Sequence, residues 1–174
     1  TCVVGGGFAG LNTALGLAER GRRDVVVLEA DTVAHGASGR NGGQVVNGLN
    51  ASLETIENRY GTDTATFVAG LVCEGGEIIR ERINTYNINC DYKPGNVFAA
   101  LTPKHMKDLE AKRALWARFG MTNLDMLDPA QMRAQVNSPL YVGGMIDHLG
   151  GHLHPLNLAL GEADAFESLG GVIF

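Results

Sequence analysis

The chain opens on an apolar run, Cys2-Val3-Val4, that stops at Gly5-Gly6-Gly7. Leu11, Ala14, Leu15 and Ala18 then recur at helical spacing, and Gly21 stands where a left-handed residue ends a helix. Val25-Val26-Val27-Leu28 is a continuous, mostly β-branched run of strand length, the pattern of a parallel strand buried on both faces. Residues 1–29 therefore predict strand, glycine turn, helix and strand, a βαβ unit with a right-handed crossover.

Residues 36–48 are glycine-rich and read as loop. Ser52 caps a short helix, and a longer one begins near Thr62 with Phe67, Val68, Leu71, Val72, Ile78, Ile79 and Ile83 on its core face. Gly75-Gly76 inside that helix suggests a close helix crossing, with Glu74 beneath the glycine-rich loop. Asp91 to Leu101 predicts a hairpin turning at Pro94-Gly95, since Pro then Gly suits the centre of a type II turn. Thr102-Pro103 starts a helix whose buried side carries Met106, Leu109, Trp116 and Phe119, and Gly120 ends it. Asp128-Pro129-Ala130-Gln131 is a capping box. Tyr141–Leu149 reads as strand, and His154-Pro155 opens a last helix that Gly170 stops. The element order predicts an α/β dinucleotide-type domain interrupted by part of an antiparallel-sheet α+β domain. The expected boundaries are 1–85, 86–150 for the inserted part, and 151–174 for the return.

Composition narrows the function classes. Of 174 residues, 14 are Lys or Arg and 19 Asp or Glu, a net charge of −5 that offers nucleic acid no electrostatic footprint. No apolar stretch is long enough to span a bilayer. Cys2, Cys73 and Cys90 are odd in number and far apart, which argues against a disulfide framework and for a reduced, cytoplasmic setting. Both ends look cut within strands, so a fragment of a longer chain is expected. Glycine is the outlier, 24 residues or roughly twice its average share.

The glycines carry the candidate chemistry. Gly5-Gly6-Gly7-Phe8-Ala9-Gly10 is G-x-G-x-x-G between a strand and a helix, with Glu29 at the end of the next strand. Gly5 permits the turn, Gly7 lets a diphosphate approach the backbone, and Gly10 lets helix and strand pack closely. The helix N-terminus favours the diphosphate, and Glu29 can accept from ribose hydroxyls while repelling a 2′-phosphate. A second cluster, Gly36-Ala37-Ser38-Gly39-Arg40-Asn41-Gly42-Gly43-Gln44, starts at the same sheet edge. Ser38, Arg40, Asn41 and Gln44 bring donors there, which suits a dinucleotide extending past its diphosphate, as a flavin does.

The run Val3 to Gln44 resembles the start of the D-amino-acid oxidase superfamily of FAD-dependent oxidoreductases. Within it, the 36–44 motif, Glu74–Arg82, Gly95–Thr102, Tyr141–Met145 and Gly150–Glu162 are similar to the gamma-glutamylputrescine oxidoreductase group. The resemblance implies a Rossmann-like FAD domain with part of a substrate domain, and FAD as cofactor. It implies oxidation of an amine C–N bond to an imine, with gamma-glutamylputrescine or a related amine as small-molecule substrate. It puts Gly5, Gly7, Phe8, Ala9 and Gly10 at the diphosphate, Glu29 and Ala30 at the adenosine side, and Ser38, Arg40, Asn41, Gly42, Gly43 and Gln44 beside the ribityl chain and flavin. No catalytic residue and no metal is assigned within this chain. Oxidation of glycine, sarcosine or a D-amino acid, and a non-catalytic nucleotide-binding module, stand as alternatives.

Other features read more plainly. His148, His152 and His154 share parity, with a helix start or pocket lining as their expected role. Arg80, Glu81 and Arg82 read as a solvated helix face, and Trp116 as core. Tyr86 and Tyr92 read as core packing.

Overall fold

The computed structural model describes residues 1–174. The chain divides into two compact units. The first comprises Thr1–Gln44, Ile79–Lys93 and His152–Phe174, and the second Val45–Ile78 and Pro94–Gly151.

In the first unit, β1 (Cys2–Val4), β2 (Val26–Leu28) and β7 (Val172–Ile173) form a parallel sheet in the order β1-β2-β7. Register pairs Val3 with Val27 and Val27 with Ile173. Helices α1 (Phe8–Glu19) and α7 (Pro155–Ser168) pack together with it. The shared core is Ala14, Leu15 and Ala18 from α1, Val25 and Val27, and Ala165 and Phe166 from α7. Both helices start and stop where the sequence marks them. Gly21 and Gly170 adopt positive φ just past their ends, and the His154 ring accepts from the Asn157 N–H as N-cap at 3.2 Å. A one-turn helix, α2 (Ala37–Arg40), packs on α7 in the stretch expected to be loop.

The second unit holds β3 (Gln44–Val45), β4 (Lys93–Ala100), β5 (Leu124–Leu127) and β6 (Gly143–His152). The sheet order is β3-β6-β4, with β5 antiparallel to β6. Helices α3 (Leu53–Tyr60), α4 (Thr62–Thr85, its last residues belonging to the first unit), α5 (Pro103–Arg118) and α6 (Pro129–Gln135) accompany it. The core gathers Leu53, Ile56, Ala65 and Ala69 with Trp116, Phe119, Leu124 and Met145. Capping follows the sequence: Ser52, Thr102 and Asp128 each accept from a first-turn N–H, and Asp128 and Gln131 complete a reciprocal box.

The expectations change at several points. Phe67 and Leu71, expected on the core face of α4, are exposed. The turn at Pro94-Gly95 is absent, because β4 runs through both residues with Gly95 at φ +91°. Pro94 has no N–H to withhold from the ladder, which the start of an edge strand tolerates. Strand β5 was not readable, since four residues give too short an alternation and its pairing with β6 holds it. Gly75 faces open space and Glu74 is exposed, so no close crossing accounts for Gly75, while Gly76 beside it is buried. The compact units also fall differently from 1–85, 86–150 and 151–174. Residues 45–78 share the core of Trp116 and Phe119, while 79–93 join α1 and α7 through residues such as Arg82 and Ile88.

Candidate dinucleotide site

The site grows from the end of β1. Gly5 turns the chain at φ +101°, and its N–H donates to the Leu28 carbonyl at 2.8 Å, tying the turn to β2. Gly7 is the N-cap of α1 and provides no side-chain cap. The Phe8 N–H is taken by the Ser38 hydroxyl oxygen at 3.0 Å, whereas the N–H groups of Ala9 and Gly10 find no acceptor in the chain. A helix start with open N–H groups and the positive end of the helix dipole is an anion site. Gly10 is sterically required: a Cβ there would lie 1.8 Å from the Gly5 carbonyl oxygen. Its task is therefore the close approach of helix to turn that the motif implies.

Glu29 stands at the mouth of the crossover. Its carboxylate accepts from the Gly6 N–H at 2.5 Å and from the Asp31 N–H at 3.1 Å. Those two N–H groups, Gly6 foremost, hold it below the usual Glu range, so it is ionised at neutral pH. Each carboxylate oxygen keeps a further lone pair for a hydroxyl donor. Ala30 follows, exposed.

The second glycine segment is laced to the first. The Ala34 N–H donates to the Gly6 carbonyl at 2.9 Å, with Ala34 itself at φ +58°. Ser38 reaches Phe8, and its hydroxyl proton stays free to donate onward. Arg40 is exposed, its Nη2 3.3 Å from the His35 ring. Asn41 behaves differently from expectation. Its amide donates to the Ser38 and Ala37 carbonyls and its oxygen accepts from the Gly43 N–H, so the side chain closes α2 and shapes the loop. Gly42 lies in open space. Gly43, at φ +69°, leaves no room for a Cβ, which would stand 1.9 Å from the Leu153 carbonyl oxygen. Gln44 is exposed at the start of β3.

Behind the first turn of α1 lies a polar cluster that the sequence reading missed. Glu162 is fully buried in α7. Its Oε2 accepts from Asn12 Nδ2 at 2.9 Å, its Oε1 has no hydrogen-bond partner, and Arg82 Nη1 stands 3.7 Å from Oε1. Burial pushes its pKa up to about 7 against the opposing pull of Arg82. Arg82 is not on a solvated face but buried. Its guanidinium donates to both Glu19 oxygens at 2.8 and 3.1 Å and to Asn12 Oδ1 at 2.5 Å. The Tyr86 hydroxyl also donates to Glu19, at 3.2 Å. One signal was available: Leu158, Glu162 and Phe166 fall at i, i+4 and i+8, so the stripe that buries the two apolar residues also buries the carboxyl.

The remaining candidates lie elsewhere. His154 caps α7, His148 Nε2 is 2.9 Å from Asp125 Oδ2, and His152 is exposed. A cavity of about 990 Å³ belongs to the second unit and involves neither glycine segment. Lys112 enters it over the rings of Phe98 and Trp116, 4.3 and 4.6 Å from their centroids, and burial lowers its pKa.

Known proteins share this architecture. A gamma-glutamylputrescine oxidoreductase of Escherichia coli (strain K12) is 52% identical over 173 residues, covering 99% of this chain and 40% of that protein. The chain thus spans well under half the length of that relative. L-amino acid deaminase from Proteus myxofaciens, solved in complex with anthranilate, matches with a TM-score of 0.78 at 20% identity, over 99% of this chain and 37% of that one. Dithionite-reduced L-alpha-glycerophosphate oxidase from Mycoplasma pneumoniae, solved with FAD bound, matches with a TM-score of 0.72 at 18% identity, over 99% and 43%. At such identities the structural matches speak for the fold alone. The match to the FAD dependent oxidoreductase family runs over residues 1–174, and the chain belongs to that family.

Proposed function

We propose that the protein is an FAD-dependent amine oxidoreductase whose substrate is gamma-glutamylputrescine, acting in putrescine breakdown in the cytoplasm. The observation that carries the cofactor part is the meeting of the two glycine segments, through Phe8 and Ser38 and through Gly6, Glu29 and Ala34. The residues suit FAD. The open N–H groups of Ala9 and Gly10, in a turn without side chains at Gly5 and Gly7, suit its diphosphate. Glu29 suits the adenosine ribose, with Ala30 beside it. Ser38, Arg40, Gly42, Gly43 and Gln44 suit the ribityl and flavin end, and Asn41 holds that loop in shape. When bound, FAD supplies a two-electron acceptor for the C–N bond. The part of this chain in that chemistry is to bind and orient, with the second unit forming part of the substrate domain.

The substrate rests on the 52% identity to the E. coli enzyme. No helix is long and apolar enough to cross a membrane, which accords with an enzyme acting on a small polar amine. The test is to express the full-length protein, record its visible spectrum, and assay hydrogen peroxide with gamma-glutamylputrescine beside glycine, sarcosine and D-amino acids. A yellow protein that turns over gamma-glutamylputrescine fastest is expected. A colourless protein that binds ADP or NAD but no flavin overturns the cofactor, and preference for another amine overturns the substrate.

A further inference from the structure

The cluster behind α1 is expensive for a structural helix contact. It removes a carboxyl and a guanidinium from water and leaves Glu162 Oε1 without a hydrogen bond. Apolar residues of similar volume would hold two helices at least as well, so a buried charged cluster calls for a further role. Its geometry suggests one. Asn12 Nδ2 donates both to the Phe8 carbonyl, in the first turn of α1, and to Glu162 Oε2, each at 2.9 Å. Arg82 holds Asn12 near the start of that helix and Glu19 in its last turn. The residues at 12 and 19 are two turns apart on one side of α1, so α4 and α7 together set both its rotation and its advance toward the glycine turn.

We propose that Glu162, acting through Asn12, is a positioning residue for the diphosphate-binding turn of α1, and that FAD binding there is coupled to proton uptake by its carboxyl. This rests on the dinucleotide reading of the two glycine segments. Arg82 and Glu19 neutralise each other, so the cluster is net negative only when Glu162 is ionised. A diphosphate arriving at the start of α1 adds like charge and favours the protonated form. By linkage, FAD then binds more weakly as pH rises through the titration of Glu162, whose raised pKa puts that change in the neutral range. The charged or titratable groups that face Glu162 are Arg82, Glu19 and Cys90, with Tyr86 reaching it only through Glu19. Tyr86 and Cys90 are both pushed up, by burial first.

The experiment titrates FAD into the deflavinated full-length protein between about pH 5.5 and about pH 8.5, following flavin fluorescence. The dissociation constant of the wild type is expected to rise by about 5-fold or more across that range. Glu162→Gln keeps an acceptor for Asn12 but cannot titrate, and its profile is expected to be flat. Asn12→Ala, which removes the link from Glu162 to the Phe8 carbonyl, is expected to weaken binding at every pH. His35→Asn, just ahead of the second glycine segment, is expected to leave the slope in place. Proton uptake on FAD binding, measured by calorimetry in buffers of different ionisation enthalpy, reads the same coupling in the wild type without any variant. A wild type that binds FAD without proton uptake overturns the inference and leaves the flavin reading standing. So does a Glu162→Gln protein with the wild-type slope, or loss of the slope in His35→Asn. A wild type that binds no FAD at any pH overturns both.

Discussion

Gly10→Ala is the sharpest mechanical test of the dinucleotide turn, because the clash can be measured before the protein is made. The added methyl would lie 1.8 Å from the Gly5 carbonyl oxygen, 3.0 Å from its carbon and 3.4 Å from Val3 Cγ1. Real Cβ contacts essentially never fall below 3.0 Å, so helix and turn must separate by at least 3.0 − 1.8 = 1.2 Å. The atom opposite is backbone, and it is anchored, since the Gly5 N–H is bonded to Leu28 in β2. No side chain can swing away to relieve the contact. Overpacking of this kind costs about 3 kcal/mol. The displacement also falls on the turn that presents the Ala9 and Gly10 N–H groups. The substitution should therefore lower the melting temperature of the full-length protein by several degrees and weaken FAD binding by more than an order of magnitude. Thermal unfolding followed by flavin fluorescence reads both. Gly42→Ala is the control, for a Cβ there meets nothing within 4 Å; its stability should stay within about 0.5 kcal/mol of wild type. A Gly10→Ala protein that melts and binds flavin like the wild type would refute the steric reasoning.

Further outcomes follow from individual contacts. Glu29→Gln should weaken FAD binding several-fold, read by fluorescence titration. Because the Glu29 pKa is depressed below 4.5, its contribution is present above that value and lost as pH falls through the lowered one, so flavin release on acidification should be shallower in the variant. Asp147 is fully buried and accepts from the side chains of Asn47 and Asn123 and the N–H groups of Leu149 and Gly150. Asp147→Ala leaves those donors without their acceptor and should cost about 3 kcal/mol or more in denaturant unfolding. Asp128→Ala removes one side of the capping box on α6 and should cost only about 1 kcal/mol by the same measurement.

The local elements were legible because their signals are local. Ser52, Thr102, Asp128 and His154 each precede a helical pattern, and each forms its cap. Gly21, Gly120 and Gly170 each adopt the positive φ their positions implied. The lacing of the two glycine segments was legible only in outline. Spacing implied that they start at one sheet edge, but nothing along the chain distinguishes Ser38, bonded to the first turn of α1, from Asn41, which closes its own loop. Strand β5 and the passage of β4 through Pro94-Gly95 stayed hidden for a related reason: a strand is stabilised by its partner, and these partners lie more than 15 residues away.

By itself the sequence determined the βαβ frame, the glycine turn, the acidic residue at its mouth and the membership in a flavin-dependent family. The first three depend on residue types at fixed short spacing, where backbone sterics and capping act within a few residues, and the family rests on the match over residues 1–174. Only the tertiary structure decided that Arg82 is buried rather than solvated, that Glu162 meets Asn12 across 150 residues of chain, and that residues 45–78 share a core with α5. Burial and pairing of charge depend on which helix faces are brought together, and that is set by the packing of the whole unit, which no short window of residues contains.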